Sequence, residues 1–140
     1  MSKSVKRVEQ AAKILGQNIS VELMPESTRT ALDASKACNC DVGQIVKSLV
    51  FEGAETGNLK LLLVSGKHDV NLDDAQAIFG EALNRADPKR VRSETGFAIG
   101  GVAPIGHLCA LRRLRIVVPS RHRSGTAFRS RCARRSRIWL

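Results

Sequence analysis

IVKSLVFEGAETGNLKLLLVS, residues 45–65, holds two apolar, β-branched-rich runs on either side of a polar turn. IVKSLVF (45–51) and LKLLLVS (59–65) have the length and composition of strands. GAETGN (53–58) places two glycines between them, so the segment predicts a β-hairpin. A hairpin alone is marginal in water and needs other elements to cover its faces.

The flanking sequence supplies them. Residues 3–15 carry Val5, Val8, Ala12 and Leu15 at three- and four-residue steps, which predicts an amphipathic helix ended by Gly16. NISVELM (18–24) alternates apolar and polar residues and reads as a strand. Thr30 caps a short helix through Ala37, with Asp33 three positions on, and CDVGQ (40–44) reads as a single turn. After the hairpin, Asn71 opens a helix that stops at Gly80. Residues 87–96 form another, with Pro88 in its first turn and Gly96 past its end. No internal repeat is present. The order of helix, strand, helix, hairpin, helices and glycine loop predicts an α+β or mixed α/β single domain.

Alternation along residues 45–51 puts Ile45, Lys47, Leu49 and Phe51 on one face and Val46, Ser48 and Val50 on the other. Lys47 thus falls on the bulkier apolar face. An ammonium there must reach water, find a partner or line a pocket. Two readings stand: an edge-strand lysine that blocks aggregation, or a cation at the floor of a cleft that holds an anionic or carbonyl-bearing ligand. The segment IGGVAPIGH (99–107) bears on the choice, because Gly100, Gly101 and Gly106 permit close approach of a ligand to backbone N–H groups while Pro104 fixes the turn. Such a loop suits a carbonyl oxygen or a developing oxyanion, or it is simply a tight connection. It lacks the Gly-Lys-Ser/Thr ending of a P-loop and the spacing of a dinucleotide fingerprint.

These segments resemble the YbaK/EbsC family of single-domain aminoacyl-tRNA deacylases, relatives of the editing domain inserted in bacterial prolyl-tRNA synthetases. The resemblance is carried by STRTALDAS, DVGQIVKSLVF, LLLVSGKHDVN and ADPKRVRSETGFAIGGVAPIGH, in order, from about residue 3 to residue 107. Its most specific part runs from Thr95 through Gly96, Phe97, Gly100, Gly101, Val102 and Pro104 to Gly106. The resemblance implies a mixed, mostly antiparallel sheet flanked by helices. It also implies a trans-editing hydrolase that cleaves the ester of mischarged tRNA, with a synthetase as a further partner and no metal or organic cofactor. On this reading Lys47 contacts the aminoacyl-adenosine end and a backbone amide of Gly100-Gly101, Gly101 above all, holds the scissile carbonyl. Thr28, Thr30 and His107 border the pocket.

Composition divides the chain. The net charge of +10 looks like a nucleic-acid signal. Residues 1–107 nevertheless balance 13 basic against 13 acidic side chains, while residues 108–140 hold ten arginines and no acid. The expected organisation is therefore a deacylase-like domain over 1–107, incomplete at its C-terminal end, and an atypical arginine-rich tail over 108–140. In the tail only LRIVV (114–118) reads as a strand, and Ser124-Gly125-Thr126 only superficially matches the family's pocket turn. The tail reads as an out-of-frame continuation, as a genuine arm for tRNA phosphates, or as a membrane-surface or partner helix. The composition favours the first, which leaves edge strands unpaired and the pocket short of a wall. The rivals to the hydrolase are accordingly a non-catalytic RNA-binding protein and an inactive copy.

The N-terminus lacks the apolar run of a signal peptide, and no stretch is long enough to span a bilayer, so a cytoplasmic protein is expected. Cys38 and Cys40 are too close in sequence for an easy mutual disulfide, and no cysteine pair has zinc-knuckle spacing.

Overall fold

The computed structural model describes residues 2–24, 28 and 30–109, together with the backbone of two further strands at 114–116 and 137–139. Among the described residues four helices and six strands follow in the order α1 (Lys3–Ile14), β1 (Ser20–Glu22), α2 (Ala31–Ala37), β2 (Val46–Gly53), β3 (Leu59–Ser65), α3 (Leu72–Phe79), β4 (Leu83–Arg85), α4 (Pro88–Thr95), β5 (Leu114–Ile116) and β6 (Arg137–Trp139). A 3₁₀ turn at Val42–Gln44 precedes β2. The chain is α+β, as its sequence predicts.

Local chemistry sets the helix ends. Ser2, Thr30, Asn71 and Asp87 each accept a backbone N–H at a helix start, and Gly80 and Gly96 close α3 and α4 in the left-handed region. Asp41 and Gln44 form a reciprocal capping box around the 3₁₀ turn.

The predicted hairpin is the centre of the sheet, whose strand order is β4-β2-β3-β5. β2 runs antiparallel to both β3 and β4, with Lys47 opposite Val64 and Leu49 opposite Leu62. β5 joins the far edge of β3 in parallel, pairing Leu61 to Leu114 and Leu63 to Ile116. The expectation of bare edges therefore does not hold at β3. A separate parallel pair joins β1 to β6. β4 has only three residues and no period to betray it in sequence.

Each face of the sheet carries its own core. On one side Val50, Leu59, Leu61 and Leu63 meet Val8 of α1, Val91 of α4, and Phe97, Val102 and Ala103 of the glycine segment. On the other, Leu62 and Val64, with Leu49 and Phe51 packed beside them, meet Ala75 and Phe79 of α3. Burying each of the larger side chains contributes about 2 kcal/mol. Among the described residues no helix is long and apolar enough to cross a membrane.

Candidate active site around the double-glycine turn and Lys47

The glycine segment begins at the end of α4. Thr95 is fully buried there, its hydroxyl donating to Val91 O at 2.6 Å and accepting from Phe97 N at 3.1 Å. Phe97, Val102 and Ala103 then anchor the segment in the core. Between those anchors the chain leaves the surface as a turn. Gly101 N–H donates to Ala98 O at 3.0 Å, and Gly100, third of the four residues, has φ +86°. A side chain at Gly100 would be strained by that φ.

Gly101 differs. It is not among the residues with positive φ, and a Cβ built on it would come no nearer than 3.8 Å to any described atom, Ala98 O. Both glycines are exposed. Neither backbone conformation nor packing among the described residues requires glycine at 101.

One side chain from α1 spans the base of the segment. Arg7 donates from Nε to Gly106 O at 3.2 Å and from Nη2 to Gly96 O at 3.0 Å, and its guanidinium lies 5.0 Å from the centre of the Phe97 ring. His107 stands edge-on to the same ring, with centroids 5.9 Å apart. Its Nε2 lies 2.8 Å from Ala103 O, which requires the proton on Nε2. Burial lowers the His107 pKa below its usual value; the bond to Ala103 opposes that shift and nearby Arg7 adds to it.

Lys47 lies on the α3 side of the sheet, in register with Val64. Its ammonium donates to His68 O at 2.5 Å and lies 3.4 Å from Asp69 Oδ1. The Lys47 side chain is 25% exposed and that of Asp69 fully so. Asp69 also lines a shallow, solvent-open recess that it shares with Asp74 and with the apolar side chains of Leu62, Val64, Ala75 and Ile78. A cation, a carboxylate and an apolar floor are thus adjacent.

The six candidate residues do not form one contact cluster. Lys47 bonds to His68 and Asp69 and to none of the other five. His107 is joined to the glycine segment through Phe97 and Ala103. Thr30 is the α2 cap, donating its hydroxyl to Asp33 Oδ2 at 2.7 Å and accepting from Asp33 N at 3.0 Å, while Thr28 is half-buried. The Ser124-Gly125-Thr126 stretch lies outside the described residues. Among the described residues no three His, Cys, Asp or Glu side chains cluster as metal ligands would, and Cys40 and Cys109 are outside any disulfide. Arg7 and Asp69 were not singled out in the sequence. Nothing local marks Arg7, whose partners lie 89 and 99 residues away. Asp69 was signalled by its place in the GKHDVN loop that follows β3.

Comparison with known proteins gives a consistent picture. The family model for the aminoacyl-tRNA editing domain matches residues 25–124. A proline–tRNA ligase of Thermosipho africanus is 31% identical over 81 residues, which are 57% of this chain and 14% of the ligase. An uncharacterized Bacillus subtilis protein, YwhH, is 30% identical over 80 residues, 57% of this chain and 50% of that protein. The chain thus spans about one seventh of the ligase and half of YwhH. Among solved structures, a proposed trans-editing enzyme for prolyl-tRNA synthetase is 45% identical with a TM-score of 0.71, covering 84% of this chain and 73% of the other. A scaffold used for epitope grafting is 42% identical with a TM-score of 0.73 over the same shares.

Proposed function

The chain belongs to the aminoacyl-tRNA editing domain family, and on that premise we propose that it hydrolyses the ester joining a wrongly attached amino acid to its tRNA. The observation that carries this reading is Gly101. It is an exposed glycine that neither φ nor packing among the described residues demands, and its bare backbone leaves room for close approach of a ligand.

The proposed chemistry places the scissile carbonyl against the amides of the Gly100-Gly101 turn. The Gly101 N–H already closes the turn on Ala98 O, which leaves the Gly100 N–H as the adjacent donor. Polarising the carbonyl favours attack by water or by a hydroxyl of the substrate. Water adds to the acyl carbon, the bond from that carbon to the ribose oxygen breaks, and a proton returns to the ribose. Lys47 binds the terminal nucleotide, and a cation with an apolar floor beside it suits an aminoacyl-adenosine end. Thr28, Thr30 and His107 are further pocket-border residues on this reading, His107 on the side of the glycine segment. The lysine and the turn are held on opposite faces of the sheet by their neighbours, so a substrate that engages both reaches around a sheet end. No metal or organic cofactor takes part. The partners are mischarged tRNA and an aminoacyl-tRNA synthetase, and the cytoplasm is where that substrate arises. The deacylase-like domain over 1–107 takes β5, from the arginine-rich remainder, as the edge strand of its sheet.

The test is deacylation of a panel of mischarged tRNAs by the 140-residue chain, with Gly101→Ala and Lys47→Ala alongside. The parent is expected to hydrolyse at least one member of the panel. Gly101→Ala is expected to lose at least tenfold in kcat with an unchanged Tm, and Lys47→Ala to lose activity altogether. A parent inert on every member, or a fully active Gly101→Ala, overturns the reading.

A further inference from the structure

We propose that the layer built by α1 and α4 is the surface on which the phosphate backbone of the tRNA docks. The proposal rests on the deacylase reading and states where the nucleic acid lies relative to the double-glycine turn.

Residues 1–107 are neutral as a whole, but their charge is segregated by sheet face. On α1, Val5, Val8 and Ala12 are buried, which leaves Lys3, Lys6 and Lys13 on the solvent side of the helix with Glu9 as the only acid. On α4, Val91 and Thr95 are buried while Lys89 and Arg92 are exposed. Val8 and Val91 share one core cluster, so both helices cover the same side of the sheet and expose their cations away from it.

Those five cations are uncommitted. No carboxylate among the described residues forms an ion pair with any of them. The acids of α4 are engaged elsewhere, Asp87 as its cap and Glu94 on Arg90. Across the sheet, α3 exposes Asp73 and Asp74, and Asp69 precedes it. A polyanion is attracted to the α1–α4 face.

The chemistry of the layer favours a phosphate backbone over a protein. α4 exposes no large apolar side chain, and α1 does so only at its end, at Ile14. Protein interfaces need a desolvated centre, whereas backbone phosphates are held by exposed, flexible cations. The layer is also continuous with the proposed reaction site. The glycine segment shares its core cluster, and Arg7 reaches from α1 to both ends of that segment.

The experiment replaces Lys3, Lys6, Lys13, Lys89 and Arg92 together by Gln in the full chain. Binding of an unacylated tRNA transcript is titrated against salt. Hydrolysis is followed on a mischarged tRNA and on the corresponding aminoacyl-adenosine ester, which has no phosphates. The expected result is at least a tenfold loss of tRNA affinity and a shallower salt dependence, by roughly one unit of log–log slope per lost contact. KM for aminoacyl-tRNA rises while hydrolysis of the small ester is unchanged. A control, Asp73→Asn with Asp74→Asn, does not weaken binding. Unchanged affinity and salt slope in the five-fold variant overturn the proposal and assign binding to the arginine-rich tail. Loss of binding by a protein that hydrolyses neither ester leaves the docking surface standing and removes the hydrolase reading instead.

Discussion

The Lys60 ammonium lies 2.8 Å from the Glu81 carboxylate, with both side chains almost wholly withdrawn from solvent. Lys60 stands opposite Phe51 on the α3 face of the sheet, and Glu81 follows the Gly80 cap of α3. The same carboxylate accepts from Glu55 N at 3.0 Å, Thr56 N at 2.9 Å and the Thr56 hydroxyl at 2.8 Å. One acid therefore closes the β2–β3 turn and holds a buried cation. Gly53 makes room for it, since a Cβ there would collide with the carboxylate.

This geometry orders two substitutions. Lys60→Met leaves Glu81 with three donors and swaps a buried cation for an apolar chain of similar length. Glu81→Leu orphans two amides and a hydroxyl and leaves the cation unpaired, which is the costlier way to break a buried pair. Thermal melts are expected to show Glu81→Leu well below Lys60→Met in Tm. The reverse order would assign the turn's closure to the lysine.

Acid stability follows from the same carboxylate. The Lys60 hydrogen bond first, then the Thr56 and Glu55 bonds, hold the Glu81 pKa down to about 2 from 4.5, against the opposing effect of burial. A depressed carboxylate stabilises the fold above its unfolded pKa, and that contribution is lost as pH falls from 4.5 towards 2. His107 acts earlier. Its burial favours the neutral ring, so stability declines as pH drops below about 6.5. Urea titrations between pH 8 and 2 are expected to show two descending steps. Glu81→Gln flattens the lower one, and His107→Gln flattens the upper one and leaves the lower in place.

Much of this was legible in sequence only where its cause was local. The caps at Thr30 and Asn71 and the stops at Gly80 and Gly96 depend on neighbours within a few residues, and they fall where the pattern placed them; the cap at Asp87 is equally local but was not singled out. The hairpin was equally plain. Lys47 drew notice because it interrupts an apolar strand, yet Lys60, which interrupts the next one, is the lysine that is actually buried. Alternation alone put Lys60 on the same face as Leu62 and Val64. What could not be read was its partner, 21 residues on beyond a helix. The link from Arg7 to the glycine segment is longer still, and the pairing of Leu61 with Leu114 joins residues 53 positions apart. Periodicity has no access to such contacts.

Arg7 gives a prediction of its own. Its two bonds tie Gly96 O to Gly106 O, and its guanidinium covers Phe97. Arg7→Gln is expected to cost about 2 kcal/mol and to speed amide exchange at Gly100 and Gly101. Arg7→Lys restores charge but cannot span both carbonyls, so it recovers only part of each. Full recovery by lysine would mean that charge alone, not the bridge, holds the segment.

Truncation tests whether residues 1–107 are self-sufficient. The edge of β3 is covered by the backbone of Leu114–Ile116 along Leu61–Leu63, a buried stretch of the sheet. A chain ending at residue 109 leaves that edge unpaired, with open N–H and C=O groups beside an apolar strand, which is a template for association. A chain ending at residue 117 keeps β5 and loses β6. The β1–β6 pair stands outside the four-stranded sheet, and an isolated pair of strands contributes little by itself. The shorter chain is therefore expected to melt at least about 5 °C below the longer one and to scatter light on concentration, while the longer chain stays close to the parent. Equal melting of the two would show that the domain ends before β5. The arginine-rich remainder would then be separable from the fold.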